Sequence, residues 1–250
     1  MLGDGGSCSQ RFEYKYLITD RVAELVRGFA LAHLCPDRHA DTGHGNEYAV
    51  YSLYLDSRDL RLFHSSVTGE KNRFKLRARW YDGDPGEPVF CEIKARKLDV
   101  IVKQRAPVRK DCFERIVSNF CVMPEDLLEG TDGDPGASDR FVELCAKLWA
   151  RPMALVRYMR EAYVDPAGTP LRLTMDRHLA CVRTDAVTLA TDGPGWIDLE
   201  DGRVILELKF TDMFPAWAGE MVQTLGLVRA SAAKYVWSVQ ELTRWGIGVA

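Results

Sequence analysis

Residues 73–81 read Arg73-Phe74-Lys75-Leu76-Arg77-Ala78-Arg79-Trp80-Tyr81, RFKLRARWY. Successive side chains of a strand point to opposite faces of its sheet. Lys75, Arg77 and Arg79 therefore share one face, while Phe74, Leu76, Ala78 and Trp80 share the other. The same split recurs in both directions along the chain. RFEYKYL sets Arg11, Glu13 and Lys15 against Phe12, Tyr14 and Tyr16. CEIKARK sets Glu92, Lys94 and Arg96 against Cys91, Ile93 and Ala95. Lys103 and Arg105 share a face of IVKQRAPV, Arg160 lies in RYMREAY, and Arg172 and Asp176 share a face of RLTMD. Glu207 and Lys209 alternate with Leu206 and Leu208 in LELKF, and Lys234 stands in AAKYVW.

Any one such strand reads as the solvated exterior of a half-buried sheet. The charge balance of the set argues otherwise. These faces carry thirteen basic groups (Arg96 among them) against four carboxylates, Glu13, Glu92, Asp176 and Glu207, although the whole chain has 33 Lys+Arg against 36 Asp+Glu. Like charges side by side on adjacent strands repel unless a counter-charge is present. A sheet curled so that its charged face lines a lumen gathers those cations around one guest, and about eight strands leave room for side chains or one slender ligand. A linear phosphate chain, rich in anionic oxygens, has that form. Arg suits forked contacts to phosphate oxygens and Lys supplies point charge. The few carboxylates suit a divalent metal shared with the phosphates.

The remaining composition is that of a globular chain: 46% hydrophobic and 28% charged residues exclude collagen-like and disordered classes. Turn chemistry falls at DGDPGEP (82–88), EGTDGDPGAS (129–138), DPAGTP (165–170) and TDGPG (191–195). Apolar periodicity predicts helices over about 20–34, 111–122, 138–149, 215–226 and 235–245, with a short helical turn after Ser57. Strands are predicted over about 11–18, 48–56, 73–81, 89–96, 100–108, 154–164, 171–182, 186–190, 196–200 and 203–210. Strands outnumber helices and follow one another like hairpins, so the predicted class is antiparallel α+β rather than a Rossmann sheet.

Seven cysteines form no C-x-x-C pair, which argues against zinc ribbons and thioredoxin-like chemistry. Free thiols fit a reducing cytoplasm, the expected location. No apolar run is long enough for a membrane span. H-E-x-x-H, G-x-S-x-G and G-x-x-x-x-G-K-[ST] are all missing from the sequence. Phe74, Trp80 and Tyr14 lie at the apolar parity rather than among the cations, which argues against base stacking and hence against a nucleic-acid partner. Ser52, Tyr54 and Asp56 share a face, either tunnel-lining or structural, and Tyr51 lies on the other. Asp176 reads as an Arg-orienting partner before a metal ligand. Trp217 and Trp237 read as core-side helix residues.

These stretches together resemble the VTC domain, the polyphosphate polymerase branch of the triphosphate tunnel metalloenzymes, which include the CYTH proteins. RFEYKYLI, YSLYLDS, KLRARWYDGD, EIKARK with VKQRAPV, RYMREAYVD, RLTMDRHL, ILELKF and AAKYVW run in family order from residue 11 to about 237. The resemblance implies a closed antiparallel eight-stranded β-barrel with a charged lumen and helices packed outside. It spans 11–250 as one domain, after a flexible lead-in at 1–10. It implies that Lys15, Arg77, Arg79, Lys94, Arg160 and Arg172 act on the transferring phosphoryl group. Arg11, Lys75, Lys103, Arg105, Lys209 and Lys234 complete the phosphate-binding set. Glu207 would hold Mn²⁺ or Mg²⁺, with Glu13 and Glu92 as weaker metal candidates or as a base toward water.

The hydrolytic branch opens with E-x-E-x-K, whereas Arg11 stands at the first position here, and this favours the polymerase-like branch. Ala233 stands where family members commonly carry Ser before the last lysine. The implied reaction is metal-dependent phosphoryl transfer, making polyphosphate from ATP or another nucleoside triphosphate with release of the diphosphate. A tri- or polyphosphate hydrolase and a non-catalytic polyphosphate- or nucleotide-binding module stay open. So do a membrane-protein partner and the oligomeric state.

Overall fold

The computed structural model describes residues 11–40, 46–81, 86–98, 100–128, 133–199 and 202–248. β1 (Arg11–Thr19) runs straight into α1 (Asp20–His33), where Thr19 Oγ1 accepts from Val22 N and caps the helix. β2 (Cys35–Pro36), β3 (Glu47–Asp56) and α2 (Arg61–Val67) follow, then β4 (Asn72–Tyr81), β5 (Val89–Lys97) and β6 (Val100–Val108). A 3₁₀ turn leads into α3 (Phe113–Asn119), and α4 (Ala137–Leu148) precedes β7 (Arg151–Val164) and β8 (Arg172–Arg183). β9 (Ile197–Asp198), β10 (Arg203–Thr211), α5 (Ala216–Thr224) and α6 (Lys234–Arg244) complete the order. The fold is α+β with antiparallel strands, as expected.

Contacts group the chain into two compact units. The first comprises Met1–Tyr48, Met159–Arg177 and Asp201–Ala232. The second comprises Ala49–Tyr158, His178–Glu200 and Ala233–Ala250. In the first, β1 pairs β10 and β10 pairs β8, both antiparallel. The apolar parity of these strands, Tyr16, Leu206, Leu208, Leu173 and Met175, is buried with Ala23, Val26 and Ala30 of α1 and Ala218 and Met221 of α5. The spacing of three and four in α1 is what lays one stripe against the sheet.

In the second unit β3, β4, β5 and β6 form an antiparallel meander. Its apolar parity, including Leu53, Leu76, Ala78, Cys91 and Ile93, packs with Phe113, Ile116 and Val117 of α3 and Phe141, Leu144 and Cys145 of α4. Tyr51, Phe74 and Trp80 join this core, which is where parity put them.

The closed barrel is not shown. The strand order is β1-β10-β8-β7-β3-β4-β5-β6, and among the described residues no pairing joins its ends. Each end is partly covered by its own chain instead. Tyr16 bridges Arg229 and Ala230 N donates to Lys15 O at β1. At β6, Val108 bridges Leu127, and Asp134 N donates to Arg105 O. Such loops satisfy backbone groups that a neighbouring strand would otherwise take.

Three local expectations also change. The strand over 186–190 is absent, because Thr184 Oγ1 accepts from Ala186 N and the segment turns on itself. The strand over 196–200 shrinks to β9, paired with Ala180 and Cys181 of β8. The helix over 111–122 is a 3₁₀ turn at Lys110–Cys112 followed by α3, and Phe120 ends it at φ 50. The lead-in at 1–10 lies outside the described residues. Among the described residues no helix is long and apolar enough to cross a membrane.

Candidate functional site

The polar faces of the two units each gather sequence-predicted residues. In the second unit, strand register builds them into rows. Ser52 lies opposite Arg79. Tyr54 lies opposite Arg77, which faces Glu92, which in turn faces Arg105. The next row is Lys75, Lys94 and Lys103. Beyond it Arg73 faces Arg96, and these two with Gly69, Lys71 and Leu98 line a cavity of about 290 Å³.

Glu92 is the carboxylate set into these rows, and it is buried. Its Oε2 accepts from Arg77 Nε at 2.7 Å and Nη2 at 2.6 Å, and its Oε1 pairs with Lys103 Nζ at 2.7 Å. Burial alone would raise its pKa, but Arg77, Arg79 and Lys103 hold it well below the usual carboxylate range. Both oxygens are thus engaged by cations, and Glu92 sits as a counter-charge within these rows.

Arg79, also buried, donates from Nε to Ser52 Oγ at 3.3 Å and from Nη2 to Tyr158 OH at 3.0 Å. Lys234 Nζ lies 4.6 Å from the centroid of the Tyr158 ring, a cation–π placement. Arg77 Nη1 reaches Tyr54 OH at 3.3 Å. Burial opposes ionisation of Tyr54, but Arg77, Lys75 and Arg79 overcome it and bring its pKa down to about 8. Burial pushes Lys103 down to about 7, with Arg79 and Arg77 adding to the push and Glu92 opposing it. The Lys103 side chain keeps 41% of its surface open, so solvent relieves part of that push. Arg105 lies over the Phe90 ring, 3.7 Å from its centroid.

Asp56 serves structure. It accepts from the Leu62 and Phe63 amides at 2.9 Å each, at the start of α2, where the N-cap Leu60 stands at φ 54 without a side-chain cap. It also accepts from Tyr235 OH at 2.6 Å, and the Tyr235 ring stacks on Tyr54 at 4.9 Å. Of the open trio on β3, Ser52 and Tyr54 therefore touch the guanidinium groups, while Asp56 anchors a helix and a tyrosine.

In the first unit the polar face of β1, β10 and β8 carries carboxylates as well as cations. Lys15 faces Glu207, which faces Thr174; Glu13 faces Lys209, which faces Arg172. Lys15 Nζ lies 2.9 Å from Glu13 Oε1 and 3.8 Å from Glu207 Oε2, while Lys209 Nζ lies 2.7 Å from Glu207 Oε1. Although burial opposes the charge on Lys15, Glu207 and Glu13 drive its pKa up. Arg160 forks onto Asp176 at 2.7 and 2.8 Å, both groups buried. Arg172 Nη2 reaches Asp37 Oδ2 at 2.6 Å and Tyr48 OH at 3.2 Å. The Arg11 side chain lies outside the described residues.

Among the described residues no group of three or more His, Cys, Asp or Glu could hold a metal ion. The donor set nonetheless fits a hard divalent cation that takes one or two carboxylates and fills its remaining positions with water and phosphate oxygens. Glu207 and Glu13 would supply such carboxylates; here both pair with Lys15, and Glu207 also with Lys209.

Sequence parity missed Tyr158, Tyr235, Tyr48, Asp37 and Thr174. Tyr158 stands two residues before Arg160 and Thr174 two after Arg172, so their parity was readable. Tyr48 shares the parity of Ser52, Tyr54 and Asp56 on β3 and was readable too, whereas Asp37 and Tyr235 had no such signal.

A family model described as the VTC domain matches residues 10–243. Solved structures give fold likeness at low identity. A Bacillus halodurans protein described as a candidate adenylate cyclase is 11% identical over 94% of this chain and 97% of its own, with a TM-score of 0.51. The PH1819 protein of Pyrococcus horikoshii OT3 is 13% identical over 95% of this chain and 99% of its own, with a TM-score of 0.45.

Proposed function

The chain belongs to the VTC domain family, and from that premise we propose that it is a phosphotransferase extending inorganic polyphosphate from ATP with release of ADP. The observation that carries the reading is the row Lys75–Lys94–Lys103, three ammonium side chains in register on adjacent strands beside Arg77 and Arg105. A single buried carboxylate, Glu92, stands in those rows against them. Cations set side by side on adjacent strands repel, and a polyanion lying along the row would lower that repulsion.

In the proposed reaction a terminal oxygen of the polyphosphate chain attacks the γ-phosphorus of ATP in line. The bond from that phosphorus to the β–γ bridging oxygen breaks, and ADP leaves with the electron pair. In the second unit Arg77, Arg79 and Lys94 orient and neutralise phosphoryl oxygens, while Lys75, Lys103, Arg105 and Lys234 bind the flanking phosphates; in the first unit Arg160, Arg172 and Lys209 are the phosphate-binding cations of its own polar face. Manganese or magnesium held by Glu207, with Glu13 beside it, would add Lewis-acid neutralisation of phosphate oxygens. Phosphoryl transfer of this kind rests on positioning and charge stabilisation more than on covalent help. The attacking phosphate is already ionised near neutral pH, so the site needs no dedicated base.

Incubating the purified protein with ATP and Mn²⁺ and resolving the products on a gel tests the proposal. Chains lengthening with time support it. Phosphate release from tripolyphosphate without growth would assign a hydrolase instead, and tight binding without turnover a binding module.

A further inference from the structure

On β8, two side-chain donors of one face have no acceptor among the described residues. Thr174 Oγ1 and Arg172 Nε are both buried there without a hydrogen-bond partner. Residues two apart on a strand face the same way, so the two share the face that carries Asp176. The hydroxyl also has an obvious acceptor within register, since Thr174 lies directly opposite Glu207. That carboxylate is instead engaged by Lys209 at Oε1 and by Lys15 at Oε2. Arg172 spends only its Nη2 on Asp37 and Tyr48, which leaves Nε idle.

A buried donor without an acceptor is costly, and native structures keep few of them. A guanidinium Nε–H can only donate, so a single ligand that satisfies both groups presents at least two acceptors. A tetrahedral oxyanion with several non-bridging oxygens does so, and Arg binds such groups through forked contacts. We infer that Thr174 and Arg172 form a hydroxyl–guanidinium subsite for a phosphate group, with Thr174 Oγ1 donating to a non-bridging oxygen. This deepens the proposed function and rests on it: Thr174 becomes a substrate-contacting residue beside the Glu207 carboxylate.

The test is calorimetric titration of the full-length protein with tripolyphosphate, without added metal, for wild type, Thr174→Val and Thr174→Ser, with thermal unfolding of each. Valine keeps the shape and removes the hydroxyl. The expected result is an affinity loss on the order of tenfold for Thr174→Val, wild-type affinity for Thr174→Ser, and no fall in Tm for either. Wild-type affinity in Thr174→Val would overturn the subsite. So would a lower Tm with unchanged affinity, which makes the hydroxyl structural. Weaker Mn²⁺ binding by Thr174→Val in the absence of phosphate would overturn it too, by making the hydroxyl a metal donor. A wild-type protein that binds no tripolyphosphate would reject the proposed function itself; wild-type binding with an unaffected valine variant rejects the subsite alone.

Discussion

Arg77 and Glu92 face each other across β4 and β5, with Nη2 2.6 Å from Oε2, and Glu92 is 1% exposed. The charged face of this meander thus contains its own counter-ion. A cationic sheet face of this kind could not stay folded on repulsion alone, and Glu92 offsets part of it before any ligand arrives.

Removing Arg77 should therefore cost more stability than losing a surface ion pair. Arg77→Ala leaves the buried Glu92 carboxylate with Lys103 as its remaining ion-pair contact and Arg79 further off, and a loss of about 3–5 kcal/mol is expected in denaturant unfolding. Adding Glu92→Ala should recover part of that loss. Strictly additive penalties in the double variant would show that the two groups are not coupled.

Glu92 also sets an acid limit. Its folded pKa lies well below the ordinary 4.5, so its contribution is fully present above 4.5 and is lost as pH falls toward the folded value. Glu92→Gln should flatten the acid limb of a stability–pH curve. An unchanged limb would place the acid sensitivity elsewhere.

Lys103 should make anion binding depend on pH. Its pKa of about 7 lies below the ordinary 10.5, so above pH 7 the free protein carries Lys103 increasingly neutral. A bound polyanion favours the ammonium form, so binding takes up a proton in that window and affinity falls as pH rises. Stability moves the other way: the unfolded chain binds the extra proton between 7 and 10.5, so the burial penalty of this lysine relaxes as pH rises. Lys103→Arg should remove the affinity slope, which titrations with tripolyphosphate in buffers of differing ionisation heat would read directly.

Glu207→Gln should abolish metal-dependent turnover while circular dichroism stays that of wild type. Lys15 retains Glu13 in that variant, which keeps one ion pair on β1. Wild-type turnover would remove Glu207 as the metal anchor.

Asp56→Ala tests the helix-and-tyrosine anchor. Two amides of α2 and the Tyr235 hydroxyl lose their acceptor together, and a loss of about 2 kcal/mol is expected. A thermal melt matching wild type would mean that those donors find water without cost.

Much of this was legible before any coordinates. Arg77 and Arg79 separate from Leu76 and Trp80, and Glu207 and Lys209 from Leu206 and Leu208, because the alternation of a strand is local covalent geometry. The helix stripe of Ala23, Val26 and Ala30 is equally local. Less local features read less well: the expected strand at 186–190 yielded to a side-chain turn at Thr184, and the closed barrel is not shown; Leu127 and Asp134 meet the backbone of one end strand, and Arg229 and Ala230 that of the other.

Which face each cation occupies was written in the spacing of the chain, since it depends only on neighbours along the backbone. Which partner each cation holds was not. Arg79 meets Tyr158, Arg172 meets Asp37, and Tyr235 meets Asp56 across 79, 135 and 179 residues of chain. Those pairings depend on strand register and on where the chain returns, and a period-two pattern carries neither.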